Sequence, residues 1–366
     1  MLLSRMPRAA AVGLAVAVLA ISSGWSSASA DEPYYKGKRL TVLINFGAGG
    51  PSDIEARLFA RHLGKHIDGN PTVIAQNIDG AGGLIGTTYL GEVAPRDGTM
   101  MGHLTGMAWR WANDAERFRV DFKTYEFFGY QRSTTVSYVR TDVAPGIKIP
   151  SDIVKARGLI SGGLGPDNAK DLLTRLALEL LGVPHKHVTS YRSSAPARLA
   201  LQQGEINFYA ESPPSYRSVV HPGIVKEGLA IPVWHDPEND GDKLVASQQV
   251  ADLGIPAYHE LYRSIKGTAP SGILWDAYNT IRTISGSMLR ILALPPHSPR
   301  VAIDALSVAV ARLNEDKAYA EEAMKVIGFL PDYTTGPDTN RQVREGLSVS
   351  PEMKAFIADY VKKGAK

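Results

Sequence analysis

Two glycine-rich junctions near the start of the chain each follow an apolar strand and lead into a helix. The first reads NFGAGGPSD (45–53) and the second reads QNIDGAGGLIG (76–86). The start of a helix carries free backbone N–H groups and a partial positive charge, so two neighbouring junctions of this kind predict a site for an anion. We expect the main-chain amides of these two turns, without a cationic side chain, to form that site.

Strands and helices alternate along the chain, which is typical of an α/β fold with parallel sheets. Ser52 and Glu55 have the spacing of a capping box at the start of the first helix. The polar, proline-bearing stretch 234–241 predicts a surface loop. Predicted strands are 40–46, 72–75, 99–105, 159–161, 188–191 and 206–210, and further predicted helices are 84–93, 169–181, 194–203, 299–314, 317–327 and 351–363.

The first thirty residues have the pattern of a secretory signal peptide. Arg5 and Arg8 precede an apolar run, 9–21, and the small residues 28–30 form a cleavage site, so the mature chain is expected to begin at Asp31. The apolar run is shorter than the roughly 20 residues that span a bilayer. The chain has no cysteine, which excludes a lipid-anchored lipoprotein and also disulfide or thiolate chemistry.

Size and charge narrow the function classes further. The chain has 366 residues with 40 basic and 37 acidic groups, and removal of the leader takes away two of the basic groups. A nearly neutral surface argues against nucleic acid as a partner and against strong adhesion to membranes. A mature chain of this length favours two domains.

Five motifs in order resemble the Bug-type periplasmic solute receptors, which are components of tripartite tricarboxylate transporters. They cover almost the whole mature chain, although Ser193 replaces a family glycine and the segment 213–286 matches poorly. The motifs are the two glycine junctions, APRDGT (94–99), YRSSAPA (191–197) followed by GEIN (204–207), and RLN (312–314).

The resemblance implies a type II periplasmic binding protein-like α/β fold, in which two lobes close on a ligand like a Venus flytrap. It implies a signal peptide at 1–30, a first lobe formed by 31–131 and 281–366, and a second lobe formed by 132–280. The implied function is binding of a small carboxylate, which the receptor delivers to membrane permease subunits as a monomer, without cofactor, metal or enzymatic activity. A receptor that signals to a membrane sensor remains an alternative.

Candidate ligand-binding residues come from the glycine junctions and from the loops that face them. Ligand contact and a purely structural role remain open for several: Asp53 stabilises its helix dipole in either case, Ser193 and Ser194 also suit a helix cap, and Arg192 either pairs with a distal carboxylate or is solvated. The candidates are Phe46, Gly49, Gly50, Ser52, Asp53, Ala81, Gly82, Gly83, Thr105, Gly163, Gly165, Arg192, Ser193 and Ser194.

Other chemistries find weaker support in the sequence. Trp109 and Trp111 follow the third strand and suit either an aromatic pocket or the core. The histidine pairs 62/66 and 185/187 have no carboxylate at a spacing that completes a metal site, and the calcium-like run 236–242 has serine where its last ligand belongs. An exported NAD-dependent enzyme is the other alternative, but no acidic residue ends a following strand about 20 residues after the second junction, as a dinucleotide site requires.

Overall fold

The computed structural model describes residues 32–240 and 243–364, which form helices around two separate five-stranded sheets. The expected signal peptide therefore lies outside the described residues. The strands are β1 (Arg39–Ile44), β2 (Thr72–Asn77), β3 (Met100–Thr105), β4 (Glu126–Gln131), β5 (Val136–Arg140), β6 (Leu159–Gly162), β7 (His185–Val188), β8 (Phe208–Glu211), β9 (Ala230–His235), β10 (Glu238–Asp240), β11 (Lys243–Val245) and β12 (Arg290–Leu294).

Most helices follow a strand directly, as the predicted alternation requires. Several turns of 3-10 helix and one π-helix, Tyr216–Val225, accompany them. The α-helices are α1 (Pro51–Leu63), α2 (Leu84–Glu92), α3 (Met107–Asn113), α4 (Ala169–Leu181), α5 (Ser194–Gln203), α6 (Pro213–Ser215), α7 (Tyr258–Lys266), α8 (Ile273–Ser287), α9 (Arg300–Asn314), α10 (Lys317–Val326), α11 (Thr339–Glu345) and α12 (Pro351–Gly364).

The first sheet has the strand order β2-β1-β3-β12-β4. Strands β1, β2 and β3 are parallel, whereas β12 runs antiparallel to both β3 and β4. Leu40, Val42, Leu43 and Ile44 of β1 are fully buried, as expected for a strand that helices cover on both faces. The carboxyl ends of β1, β2 and β3 meet at one edge, so the two glycine junctions lie side by side.

The second sheet repeats this arrangement with the order β7-β6-β8-β5-β9. Strand β6 is parallel to β7 and β8, and β5 is antiparallel to β8 and β9. Residues 132–135 join β4 of the first sheet to β5 of the second. The chain returns to the first sheet through α8, which leads into β12. Within the described part of the chain, no helix has the length and apolar composition that crossing a membrane requires.

The predicted helices 169–181 and 194–203 are observed with these bounds, and each ends at a glycine in the left-handed conformation, Gly182 and Gly204. The strand predicted at 188–191 is instead β7, at 185–188. The surface loop predicted at 234–241 is also wrong. Trp234 and His235 end β9 and are buried, and 238–240 pair with β11 in a hairpin. Trp234 packs on Phe208 and Tyr258, so contacts with residues distant in the sequence determine the conformation of this segment.

The predicted capping box is not formed, because Gly50 is the N-cap of α1 and Pro51 its first residue. Glu55 is instead fully buried under the first sheet, where its Oε2 lies 3.3 Å from Nε of the fully buried Arg290 on β12. Tyr333 donates a 3.2 Å hydrogen bond to Oε1. Burial raises the pKa of Glu55, and the positive charge of Arg290 opposes that rise. This pair joins the helix behind the first glycine junction to the strand that returns from the second sheet.

Replacing Arg290 with methionine is expected to lower the free energy of unfolding by about 3–5 kcal/mol, because it leaves the Glu55 carboxylate buried without a cation. Urea denaturation of the mature protein measures the change. The double variant Glu55→Gln/Arg290→Met is expected to recover part of the loss.

Arg300→Met is the matched control, since Arg300 pairs with Asp304 on the exposed side of α9. It is expected to leave the unfolding midpoint nearly unchanged. An Arg290→Met variant as stable as this control would show that the buried pair does not hold the two elements together.

Candidate functional site

A cavity of about 80 Å³ lies between elements that follow strands of the first sheet and elements that follow strands of the second. Its walls combine main-chain groups, hydroxyls, two cations and several apolar side chains. The lining residues are Phe46, Gly50, Pro51, Ser52, Gly82, Thr105, Gly106, Trp109, Arg110, Thr135, Leu164, Asn168, Ala169, Lys170, Leu173, Ser193, Ser194, Ser212, Ser285 and Leu289. We call this cavity the cleft.

Three helices begin at the cleft. The N-cap and first residue of α1 (50–51), of α4 (168–169) and of α5 (193–194) all line it. No side chain caps the first turn of α1 or α5, whereas the Asn168 side chain accepts a bond from the amide of Lys170 in α4. The amides of a first helical turn have no partner inside the helix. The cleft therefore has a positive potential and N–H donors, as an anion requires.

The glycine junctions shape the cleft, but some of their amides are already used. Gly49 N–H donates to Asp53 Oδ2 at 3.0 Å, and Gly83 N–H donates to the Gly80 carbonyl at 3.0 Å. Asp53 also accepts from Arg57 and Asn77, at 2.7 and 2.9 Å. This corrects the expectation that the Gly49 and Gly83 amides face a ligand. The hydrogen bonds of the Asp53 carboxylate stabilise the conformation of the first junction.

Glycine is required at the second junction by both backbone conformation and space. Gly82 and Gly83 have φ of 62° and 94°, which side chains other than glycine rarely adopt. A Cβ on Gly83 would lie 2.5 Å from Asn45 Nδ2, and one on Gly82 would lie 2.1 Å from Arg110 Nη2. The Gly82 carbonyl accepts a 3.0 Å hydrogen bond from Arg110 Nε, so this carbonyl of the second junction faces the guanidinium.

Lys170 is the cation that the sequence analysis missed. It is the second residue of α4, and its Nζ donates to Tyr209 OH at 2.7 Å and to Ser194 Oγ at 3.3 Å. The ammonium also lies 4.2 Å from the centroid of the Tyr209 ring. Within the described ranges, no carboxylate forms an ion pair with Lys170, so a positive charge faces the cleft without a paired anion. The expectation of a site without cationic side chains is therefore wrong.

The environment of Lys170 lowers its pKa to about 8. Desolvation is the main cause, and Arg198 adds to it by repulsion. Asp171 and Glu211 act in the opposite direction. Below about pH 8 the side chain is protonated, and a negatively charged group in the cleft would stabilise that form.

The cleft also contains a hydroxyl with no partner in the protein. Thr105, at the end of β3, has a buried Oγ1 that lacks a hydrogen bond among the described residues. Its backbone N–H is held by the Asn45 side chain at 2.9 Å. Buried polar atoms are nearly always hydrogen-bonded, so this hydroxyl is available to a molecule in the cleft.

The predicted site residues fall into three groups. Those that line the cleft are Phe46, Gly50, Ser52, Gly82, Thr105, Ser193 and Ser194. Those that line an adjacent outer groove of about 720 Å³, which shares Gly82 with the cleft, are Ala81, Gly165 and the exposed Arg192. Those that line neither are Gly49, Asp53, Gly83 and Gly163, whose contact with a ligand stays a prediction.

Gly163 lies behind the wall because its N–H donates to the Val188 carbonyl at 2.7 Å and its carbonyl accepts from Tyr191. A Cβ at this position would lie 2.0 Å from Asp171 Oδ2. The glycine therefore allows α4 to begin close to β6, which places Lys170 at the cleft.

The histidines and tryptophans take structural positions. His62 lies 2.6 Å from Glu322 and His66 lies 2.9 Å from Asp316, so each histidine has a carboxylate partner that the sequence analysis did not predict. Both partners come from the distant helix α10 and its N-cap. The described residues nevertheless contain no cluster that could hold a metal ion. Trp111 packs against Phe118, while Trp109 is buried and lines the cleft.

Direct hydrogen bonds join the two sides of the cleft. Trp109 Nε1 donates to the Asp167 carbonyl at 3.0 Å, and Arg198 Nη2 donates to the Gly49 carbonyl at 3.2 Å. Arg110 and Arg117 pair with the Asp167 carboxylate. Arg198 in turn is held by the buried Glu211 through two 2.9 Å contacts. The Arg198–Glu211 pair lies on the side of the second sheet, and the other bonds each link a group near the first sheet to one near the second.

Comparison with solved structures identifies this arrangement. The periplasmic binding protein BugD superposes with a TM-score of 0.65 at 19% identity, covering 89% of this chain and 98% of BugD. The chain has the fold of the Bug-type periplasmic binding proteins. This confirms both the predicted α/β fold class and the resemblance on which that prediction depended.

Two further structures share the Bug-type fold. MatC from Rhodopseudomonas palustris, solved with bound malate, has a TM-score of 0.62 at 17% identity and covers 89% of this chain and 99% of its own. An R. palustris protein solved with adipate has a TM-score of 0.64 at 16% identity and covers 90% and 98%.

Comparison of sequences alone gives a match over a smaller part of the chain. No family model matches the chain. A UPF0065 protein of Agrobacterium vitis is 28% identical over 202 residues, which is 53% of this chain and 56% of the relative. The matched region thus spans about half the length of that curated relative.

Replacing Trp109 with phenylalanine is expected to increase the radius of gyration of the Bug-type fold in solution. The variant keeps an aromatic ring but loses the donor to Asp167, and a single hydrogen bond contributes about 1 kcal/mol. Small-angle X-ray scattering of the mature protein measures the change.

Trp111→Phe is the control on the same helix, because Trp111 packs within its own aromatic cluster and has no bond to Asp167. It is expected to scatter like the wild type. If Trp109→Phe also scatters like the wild type, the indole bond does not hold the two sides together.

Proposed function

We propose that this protein is a periplasmic receptor that binds a small carboxylate in the cleft and delivers it to the permease subunits of a tripartite tricarboxylate-type transporter. The single observation that carries the proposal is the convergence of three helix N-termini and the unpaired Lys170 ammonium on one cavity. A carboxylate accepts hydrogen bonds from amides and pairs with an ammonium group. The partly apolar wall around it suits a short carbon chain.

The bound ligands of two relatives support this substrate class. Malate and adipate are both small carboxylates, and the proteins that hold them share the fold at under 20% identity. The signal peptide pattern supports export to the periplasm. The transporter partnership rests on the motif resemblance.

We further propose that ligand binding closes two lobes, formed by 31–131 with 281–366 and by 132–280. Walls from both sides supply the amides, so a ligand contacts all of them only when the lobes are closed. Its binding free energy then favours the closed form. Helix α12, which this division places in the first lobe, contacts α4 through a 2.8 Å bond from Tyr360 to Glu179. It therefore lies across the division between the lobes.

A thermal-shift screen of the mature protein with malate, adipate and other carboxylates tests the function. A ligand at 100 times its Kd is expected to add about 2.7 kcal/mol to the stability. Lys170→Met is expected to weaken binding about 10- to 100-fold, because it removes a charged hydrogen-bond donor. Isothermal titration calorimetry measures that loss.

The matched control is Lys266→Met on α7, whose side chain is exposed and far from the cleft. Its carboxylate affinity should equal that of the wild type. A neutral sugar that raises the melting temperature while no carboxylate does so would reject the proposed substrate class.

The affinity for carboxylates is expected to be constant from pH 6.5 to about pH 8 and to weaken above it. The pKa of Lys170 is lowered to about 8, so deprotonation in the free protein removes the charge that attracts the ligand. Linkage limits the effect to about a tenfold rise in Kd for each pH unit. Calorimetric titrations between pH 6.5 and 9.5 measure the profile.

The same titrations on Lys170→Gln are expected to give weaker binding that does not change over this pH range. Tyr209, Asp171, Glu211 and Arg198 are the other ionisable groups around Lys170, and all four remain in the variant. An unchanged decline in the variant would assign the titration to a different group.

A further inference from the structure

A second cavity, of about 220 Å³, adjoins the cleft. The two share a wall formed by Thr135, Leu173, Ser285 and Leu289, so these four residues lie between them. We call the second cavity the distal chamber. The cleft is small, and a ligand longer than a few atoms has to extend beyond it.

The distal chamber is built largely by 236–239 and 282–289. Most of these residues lie in the segment that matches the Bug-type motifs poorly. The motif resemblance therefore gives no expectation for this chamber. Its other lining residues are Tyr130, Arg132, Ser133 and Gln342.

The two arginines of the chamber have little capacity left to bind an anion. Arg282 donates to the Pro237 carbonyl at 3.0 Å, to Asn239 Oδ1 at 2.9 Å and to Asn279 Oδ1 at 3.3 Å. The guanidinium is therefore largely occupied by protein acceptors. Arg132 is exposed, so its charge is screened by solvent.

The two carboxylates of the chamber retain capacity as acceptors. The Asp236 carboxylate accepts a 2.6 Å bond from Tyr278 and a second bond from Thr135, and Glu238 accepts one from Ser247. An ionised carboxylate has about four acceptor positions, so both can take further donors. The chamber therefore offers acceptors to an occupant and would repel a second carboxylate. An alkyl chain would leave these acceptors without donors, which costs free energy at a buried site.

We propose that the distal chamber is a subsite for a hydroxyl-bearing tail, and that the natural ligand is an elongated polyhydroxy carboxylate of the sugar-acid class. This inference rests on the proposed function, because it takes the carboxylate end of the ligand to be held in the cleft. The tail passes between Thr135 and Ser285 and donates its hydroxyls to Asp236 and Glu238.

Calorimetry with three probes of equal chain length tests the proposal on the wild-type protein. Gluconate carries a hydroxyl on every carbon beyond its carboxyl group, hexanoate carries none, and adipate carries a second carboxylate instead. Gluconate is expected to bind about tenfold tighter than either of the others, or better. Equal or tighter binding of hexanoate or adipate would overturn the assignment.

Glu238→Gln tests the subsite at a residue that lines the distal chamber and not the cleft. It is expected to weaken gluconate binding about tenfold, because a charged acceptor becomes neutral, while the affinity for acetate, which fits in the cleft alone, stays the same. Glu227→Gln is the matched control, because Glu227 is exposed and lines neither cavity. An equal loss for acetate and gluconate in Glu238→Gln would also overturn the subsite.

The outcomes distinguish failure of the distal subsite from failure of the carboxylate-binding function. If acetate or malate binds but gluconate has no advantage, the distal subsite is wrong and the carboxylate receptor stands. If no carboxylate binds the wild type, both are wrong. Should Glu238→Gln fail to fold, the ranking of the three probes on the wild type still decides.

Discussion

The structure depends on backbone amides that their own helices cannot satisfy. The first turns of α1, α4 and α5 meet at one cavity, and α1 and α5 lack a side-chain cap there. Three aligned helix dipoles and the Lys170 ammonium would repel one another without a negative charge between them. An anion in the cleft relieves that repulsion.

Local sequence signals predicted the parts of the fold that local interactions determine. Helices α4 and α5 were predicted with their observed bounds, because each ends at a glycine whose left-handed conformation is typical of a helix end. Strand β1 was predicted within one or two residues of its observed bounds for a similar reason, since a continuous apolar run between charged residues suits a buried strand. Seven of the predicted site residues line the cleft, all of them at strand or helix ends.

The parts of the fold and of the site that were not predicted depend on contacts between residues far apart in the sequence. Ser52 and Glu55 have the spacing of a capping box, yet Glu55 pairs with Arg290, which is more than two hundred residues away in the sequence. Lys170 appeared to be an ordinary residue of a first helical turn, and only the packing of α4 against β8 turns it to the cleft. Its one local signal was the glycine loop 162–165 before α4, which forms a third strand-to-helix junction. Trp234 was assigned to a loop because its aromatic partners come from other parts of the chain.

The bonds from Trp109 to Asp167 and from Arg198 to Gly49 have a kinetic consequence. Both join protein groups directly, so part of the free energy that holds the two sides together is independent of what lies between them. Entry and exit of a solute then require these bonds to break first, which slows association and dissociation alike. For the function proposed above, this arrangement suits the retention of a scarce compound better than rapid exchange with an abundant one.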